Sequence, residues 1–273
     1  MPGGHGKDNM KLGFIGLGNM ATAMIGGILK EGIVEAEDVL GSAVHEKTRS
    51  NAQARFGIHT TASNREVAEN CEIVILAVKP VQFPIVLEEI MDCIDEQKLL
   101  ISVAAGRTTR WISEYFNHPV KIVRCMPNTP ALVQEGCSAV CRNENVSDDE
   151  LQQALEILRS FGTADVVKES LMDVVVGVSG SSPAYVFMFI EAMADAAVKG
   201  GMPRAQAYQF AAQSVMGSAK LMLETGRHPG ELKDMVCSPA GTTIEAVEVL
   251  EKRGFRAAVM EAVDACIEKS RNL

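Results

Sequence analysis

The stretch LGFIGLGNMATAMIGGIL, residues 12–29, decides the fold. An apolar run from Leu12 to Ile15 meets Gly16-Leu17-Gly18, and an apolar helical pattern begins directly behind it. Gly16-x-Gly18-x-x-Ala21 placed between a strand and a helix is the arrangement that binds a dinucleotide. Gly16 allows the tight turn, Gly18 lets backbone approach a pyrophosphate, and Ala21 lets the helix lie close to the strand. The helix start offers free N–H groups and a partial positive charge. Ile15, Gly16, Leu17, Gly18, Asn19 and Met20 are therefore the first candidate cofactor contacts. Without a ligand, the same residues would be a glycine-rich strand–helix turn.

Working outward, further short apolar runs alternate with helix-like segments as far as residue 168. They are DVLGSAV (38–44), EIVILAV (72–78), LLISVAA (99–105), VKIVRC (120–125) and CSAVCR (137–142). Continuous rather than alternating apolar runs predict strands covered on both faces. Their alternation with helices predicts an α/β fold with a doubly wound, mostly parallel sheet. Ligands of such sheets sit outside the carboxyl ends of the strands. That rule adds Ala77, Val78, Lys79 and Pro80 after one strand, and Ala104 and Ala105 after the next. Asn64 reads either as an adenine contact or as an ordinary helix cap.

The second predicted strand ends in GSAVHEKTR, residues 41–49. A site for NAD carries an acidic residue at this point; here Ser42 occupies it. Ser42 can donate to a 2′-phosphate, and Lys47 and Arg49 can balance its charge. Glu46 argues the other way, as a carboxylate displaced by a short loop. The expected cofactor is NADPH, with NADH as the alternative.

From residue 169 the β-rich runs give way to Ala-rich helix patterns, near 183–201, 203–226, 242–253 and 256–270. They are apolar around much of their circumference, so they need cover on more than one side. About a hundred residues of helix make a thin core, which predicts packing against a second copy. Within them, VCSPAGTTIEAV (236–247) concentrates small residues and hydroxyls at a helix start. Thr242 is either a plain cap or, with Ser238, Gly241 and Thr243, part of a cradle for a small carboxylate. SGSSP (179–183) reads as a capped start, with Ser181 or Ser182 as cap and Pro183 in the first turn.

Five segments together resemble the pyrroline-5-carboxylate reductase family. They are GFIGLGNMATAMIGG, AVKP, MPNTPALVQEG, GVSGSSPAYVFMFIEAMADAAVKGGMPRAQA and DMVCSPAGTTIEAVEVLE, and the likeness runs from Lys11 to near the C-terminus. The resemblance implies a Rossmann domain over 11–168 and an all-α dimerisation and substrate domain over 169–273. It implies a homodimer through the helical half and, in many members, a decamer built from dimers. It also implies reduction of the cyclic imine 1-pyrroline-5-carboxylate to L-proline, the last step of proline biosynthesis, with hydride from NADPH and some use of NADH. Such an imine, once protonated, is already electrophilic, so its reduction needs positioning more than acid catalysis. The resemblance further places Glu169 near the substrate ring nitrogen, on a segment without a distinctive motif. The Pro-Ala-Gly of the cradle departs from the family's Pro-Gly-Gly, so Ala240 must avoid a positive φ or bear its cost.

Composition narrows the remaining classes. A net charge of −9 opposes nucleic-acid binding. No apolar stretch reaches the roughly 18 residues of a membrane span. Residues 1–10 read as a flexible leader without the apolar core of a signal peptide. Seven scattered cysteines read as buried reduced thiols of a cytoplasmic protein, and no His or Cys spacing predicts a metal. A 3-hydroxyacid-type dehydrogenase shares the Rossmann start but uses a lysine early in the second domain's first helix, and none precedes Lys199. A nucleotide sensor without turnover would need the glycine turn but not the cradle.

Overall fold

The computed structural model describes residues 11–272, so the expected leader lies outside the described residues. The chain forms two compact units, residues 11–180 with 267–272, and residues 181–266.

The first unit is a sheet with helices between its strands. In chain order it holds β1 (Leu12–Ile15), α1 (Asn19–Lys30), β2 (Val39–Ser42), α2 (Glu46–Phe56), β3 (His59–Thr61), α3 (Asn64–Asn70) and β4 (Ile73–Leu76). Then follow α4 (Phe83–Ile90), β5 (Leu99–Ser102), α5 (Thr109–Ser113), β6 (Lys121–Met126), β7 (Gly136–Arg142), α6 (Asp148–Arg159), β8 (Gly162–Val166) and α7 (Met172–Val175). The strand order is β3-β2-β1-β4-β5-β6-β7-β8. Only β6 and β7 pair antiparallel; the other neighbours are parallel. The run β3-β2-β1-β4-β5-β6 is the doubly wound order, with its switch point between β1 and β4.

The continuous apolar strands are explained by two cores, one on each face. In β4, Ile73 and Ile75 join a cluster with Phe14, Met24, Ile28 and Phe161. Val74 and Leu76, alternating with them, join a second cluster with Phe83, Leu87 and Ile122. A strand buried on both sides loses the period-two pattern. Two strands escaped the sequence reading for the opposite reason. β3 is His-Thr-Thr at one sheet edge with no buried residue, and β8 at the other edge buries Ala164 alone. Neither needs an apolar run.

Small residues set two close approaches. A Cβ on Gly27 of α1 would lie 2.6 Å from the Ser160 carbonyl oxygen, so this glycine lets the helix settle on the turn before β8. Gly136 and Gly162 pair across β7 and β8, and a Cβ on Gly162 would lie 2.0 Å from the Gly136 carbonyl oxygen.

The second unit is helical: α8 (Ser182–Lys199), α9 (Arg204–Thr225), α10 (Pro229–Val236), α11 (Thr242–Lys252) and α12 (Phe255–Arg271), whose end belongs to the first unit. α10 was not anticipated, because eight residues that include Gly230 carry too little periodicity. Burial within one chain is sparse here: Ala194, Ala207 and Ala211 are buried, while Phe187, Met188, Phe210, Leu223 and Met260 are mostly exposed. Among the described residues these side chains find little cover.

Two expectations change. One helical run, Glu169–Lys199, is long and apolar enough to cross a membrane by length and composition. The sequence reading broke it at Ser179–Pro183, but a π-helical turn over Val176–Gly180 carries the backbone through. None of the seven cysteines forms a disulfide, yet not all are buried, since Cys137 is exposed. Burial pushes the Cys71 thiol up to about 11, and those of Cys125 and Cys141 up to about 12, which keeps them protonated.

Gly162→Ala should lower stability by about 1–3 kcal/mol, the range for forcing a methyl group into packed surroundings. Urea unfolding checks this, and an unchanged midpoint would show that β7 and β8 do not need this approach.

Candidate functional site

The carboxyl ends of β1, β2 and β4 enclose a cleft of about 390 Å³. It is lined by Gly16, Leu17, Gly18, Ser42, Ala43, Val44, His45, Thr48, Asn64, Ala77, Val78, Lys79, Gln82 and Val86. A second cleft, of about 460 Å³, lies at the amino ends of β1, β2 and β3 beside Lys11, Val39 and His59. Strand polarity selects the first, because helix N-termini point there.

The glycine turn fits a dinucleotide. Gly16 has φ +97°, and a Cβ there would meet the Ala77 carbonyl oxygen at 2.8 Å. At Gly18 a Cβ would meet no protein atom within 4 Å, so nothing in the protein blocks the approach of a ligand to this backbone. Gly18 is the N-cap of α1 and no side chain caps that helix. Its first-turn amides are therefore left for an outside acceptor. Asn19 and Met20 open the helix, and Ile15 is buried as the last residue of β1. Pro80 opens a short 3-10 turn. Ala104 is buried and Ala105 half-buried in the turn after β5, outside the walls of the cleft.

The end of β2 departs from expectation. Ser42 is fully buried, and its hydroxyl donates to Asn64 Oδ1 at 2.7 Å. In the cleft wall its proton is therefore committed to Asn64 rather than free for a 2′-phosphate. Asn64 is not the cap of α3 either; Ser63 is, accepting from the Glu66 amide. Asn64 instead joins Ser42 to Glu89, donating from Nδ2 to Glu89 Oε2 at 2.6 Å. Arg49 donates to the Ala43 and Val44 carbonyl oxygens at 2.7 and 2.9 Å, and so braces the turn. The groups lining the cleft at this end are His45 and Thr48, at the start of α2, and not Glu46. No acidic residue stands among the lining residues of the cleft. His45 and Thr48 were missed because only the helix start at Glu46 turns them toward the cleft.

Glu169 is half-buried, and both of its carboxylate oxygens are engaged. Oε1 accepts from the Thr109 amide at 2.8 Å and from Arg124 Nη1 at 3.2 Å, and Oε2 accepts from the Thr109 hydroxyl at 2.8 Å. The Arg124 side chain is only 5% exposed, so its charge needs this partner. Arg107, in the turn after β5, was also missed. Its guanidinium lies 4.6 Å from the centroid of the Trp111 ring, and its buried Nε has no hydrogen-bond partner.

In the helical unit, Ser238-Pro-Ala-Gly241 forms a turn closed by Gly241 N–H donating to the Ser238 carbonyl at 3.0 Å. Proline second and a positive φ third are marks of a type II turn. Ala240 takes that third place at φ +54°, so it bears the steric cost, about 1–2 kcal/mol, rather than avoiding it. A Cβ on Gly241 would meet Ser238 Oγ at 2.4 Å and would turn that hydroxyl away from the helix start. Gly241, not Thr242, is the N-cap of α11, and no side chain caps it. The reading of Thr242 as a plain cap therefore fails, and Thr242 and Thr243 form an open first turn. Ser181 is the N-cap of α8 by position, but its hydroxyl makes no capping bond and faces Cys266 Sγ at 3.2 Å.

Comparison with known proteins matches two stretches of the chain. Residues 169–273 match the family model for pyrroline-5-carboxylate reductase dimerisation, and residues 11–106 match that for coenzyme F420-dependent NADP oxidoreductases. The chain is 53% identical to a pyrroline-5-carboxylate reductase of Escherichia coli K12, covering 96% of this chain and 98% of that one. A pyrroline-5-carboxylate reductase structure from Coxiella burnetii matches with TM-score 0.90 and 34% identity, covering 97% of this chain and 98% of that one. A pyrroline carboxylate reductase structure from Plasmodium falciparum with NADP bound matches with TM-score 0.89 and 36% identity, covering 98% and 99%.

The two glycines should respond differently to alanine. Gly18→Ala should fold normally but weaken NADPH by about tenfold or more, the scale of one lost charge-assisted hydrogen bond. Gly16→Ala should also lower the melting temperature, because its φ and its contact with Ala77 are both violated. Titration fluorimetry and thermal melts separate them; equal melting losses would mean Gly18 is structural.

Proposed function

The chain belongs to the pyrroline-5-carboxylate reductase family, and from that membership we propose how its residues divide the reduction of 1-pyrroline-5-carboxylate to proline. The protein is an NADP-dependent oxidoreductase of proline biosynthesis. When bound, the reduced nicotinamide supplies the hydride that the C=N carbon accepts.

In the first unit, the uncapped start of α1 and Gly18 hold the pyrophosphate. His45 and Thr48 face the 2′-phosphate, while Ser42 and Asn64 shape the wall behind the adenosine. Ala77, Val78, Lys79 and Pro80, with Ala104 and Ala105, form the rigid turns on which the flat ring rests. In the helical unit, Ser238, Gly241, Thr242 and Thr243 hold the substrate carboxylate. The observation that carries this reading is the open N-terminus of α11 behind a glycine cap. Its amides are unclaimed by any capping side chain, and two threonines stand in its first turn. A carboxylate accepting amides and hydroxyls there is stabilised by charge-assisted hydrogen bonds. The protonated imine then needs orientation and exclusion of water more than a proton donor.

The dimerisation model over residues 169–273 shows that the chain oligomerises. We assign the exposed apolar side chains of α8 and α9, and with them the apolar run Glu169–Lys199, to contact with a second copy rather than to lipid. A homodimer is the unit we propose, with a decamer as its larger form. Seven cysteines outside disulfides suit the cytoplasm, and a charge of −9 sets the protein against nucleic acid.

Thr243→Val should raise the KM for the imine by roughly ten- to a hundredfold, the scale of a hydrogen bond to a charged group, with NADPH affinity unchanged. An unchanged KM would remove the cradle. Separately, the melting temperature should rise with protein concentration, since association stabilises the folded chain by mass action. Light scattering across a dilution series should give dimers or multiples of them, and an active monomer would contradict the assignment.

A further inference from the structure

The structure assigns Glu169 a positioning role: through Thr109 it fixes the turn of residues 103–108, on which the nicotinamide rests in the reading above. The proposal rests on that reading and adds to it the residue that sets the turn's shape.

The turn leaves β5 at Ser102 and enters α5 at Thr109. Gly106 sits within it at φ +73°, a conformation with little steric restraint of its own. Its entry is fixed by the sheet, where Ser102 pairs with Arg124 of β6. Its exit is fixed by side chains: Thr108 caps α5 by accepting from the Trp111 amide, and Thr109 donates twice to Glu169. Glu169 lies 60 residues further along the chain, beyond β8. One carboxylate thus ties three separate segments: the turn after β5, Arg124 on β6, and the stretch that follows β8.

Arg124 explains why the tie is rigid. It pairs on one side with Ser102 of β5 and on the other with Cys141 of β7, and its side chain is almost fully buried. A cation there cannot be left alone, so the carboxylate is held to it. That anchoring makes Glu169 a fixed point from which Thr109 hangs. Cys141, beside the pair, registers the same charges: burial pushes its thiol up to about 12, the Glu169 carboxylate adds to the rise, and Arg124 opposes it. Committed in this way on both oxygens, Glu169 acts through Thr109 rather than by meeting the imine nitrogen.

The test uses two ligands that share the adenosine half. NADPH reaches the turn after β5, whereas 2′,5′-ADP has no nicotinamide and does not. Thr109→Val removes one bond to Glu169 without uncovering Arg124, and Glu169→Gln keeps the shape while removing the charge. Each should weaken NADPH by about three- to tenfold, the scale of one hydrogen bond, and leave 2′,5′-ADP unchanged in equilibrium titrations. The effect of Glu169→Gln should be smaller in a Thr109→Val background than in the unaltered protein, since the two changes share the hydroxyl contact while the Thr109 amide bond remains. A fall in melting temperature with both affinities unchanged, or an equal loss for both ligands, would overturn the role. Ala105→Val separates this from the underlying reading. If it leaves NADPH unchanged, the nicotinamide does not rest on this turn and both ideas fall. If it weakens NADPH alone while the Thr109 and Glu169 variants do not, only the positioning role falls.

Discussion

Backbone amides that the chain leaves without a side-chain cap are the constraint on which the functional reading depends. α1 and α11 both begin on glycine, Gly18 and Gly241, and neither receives a capping side chain. Ser63, Thr108 and Ser147 cap α3, α5 and α6, the last with its own N–H donating back to the Glu150 carboxylate, whereas α2, α8 and α9 also lack a side-chain cap, so it is glycine at the cap that sets α1 and α11 apart. An uncapped helix start exposes unsatisfied donors and the positive end of the dipole, and an anion satisfies both. The dinucleotide and the substrate each bring an anion, a pyrophosphate and a carboxylate. The α11 turn also carries an alanine at positive φ, a local cost accepted to hold its shape.

The two units solve burial differently. The sheet is sealed within the chain, with β4 contributing alternate residues to the cores on its two faces. The helical unit buries little besides alanines and leaves aromatic and methionine side chains exposed. Exposed apolar surface on that scale marks an interaction site, and this unit lies within the stretch that matches the dimerisation family model. The run Glu169–Lys199 belongs to this apolar surface and is long and apolar enough to cross a membrane by length and composition.

Much of this was legible in the chain. The glycine turn, the doubly apolar strands and the Pro and Gly punctuation of the long helices are local signals, carried by residues close in sequence. The edges of the sheet were not legible, because β3 and β8 face neighbours on one side only and carry no apolar run. Ser42 and Asn64 were legible as positions at the cofactor end but not in their roles. A serine at a strand end points to solvent or to a ligand unless something inside claims it, and here Asn64, 22 residues away, does.

Sequence by itself therefore determined what depends on near neighbours: the strand–turn–helix at Gly16–Ala21, the class of fold, the helical second half and the family. Only the tertiary structure decided what depends on pairings between distant segments. It committed the Ser42 hydroxyl to Asn64, brought His45 and Thr48 to the cleft, and bound Glu169 to Thr109 and Arg124 across 60 and 45 residues of chain. The physical reason is that torsional preferences and apolar periodicity are written along the chain. The partner of a polar group is chosen only when packing brings separate segments together and burial makes an unmet hydrogen bond or charge costly.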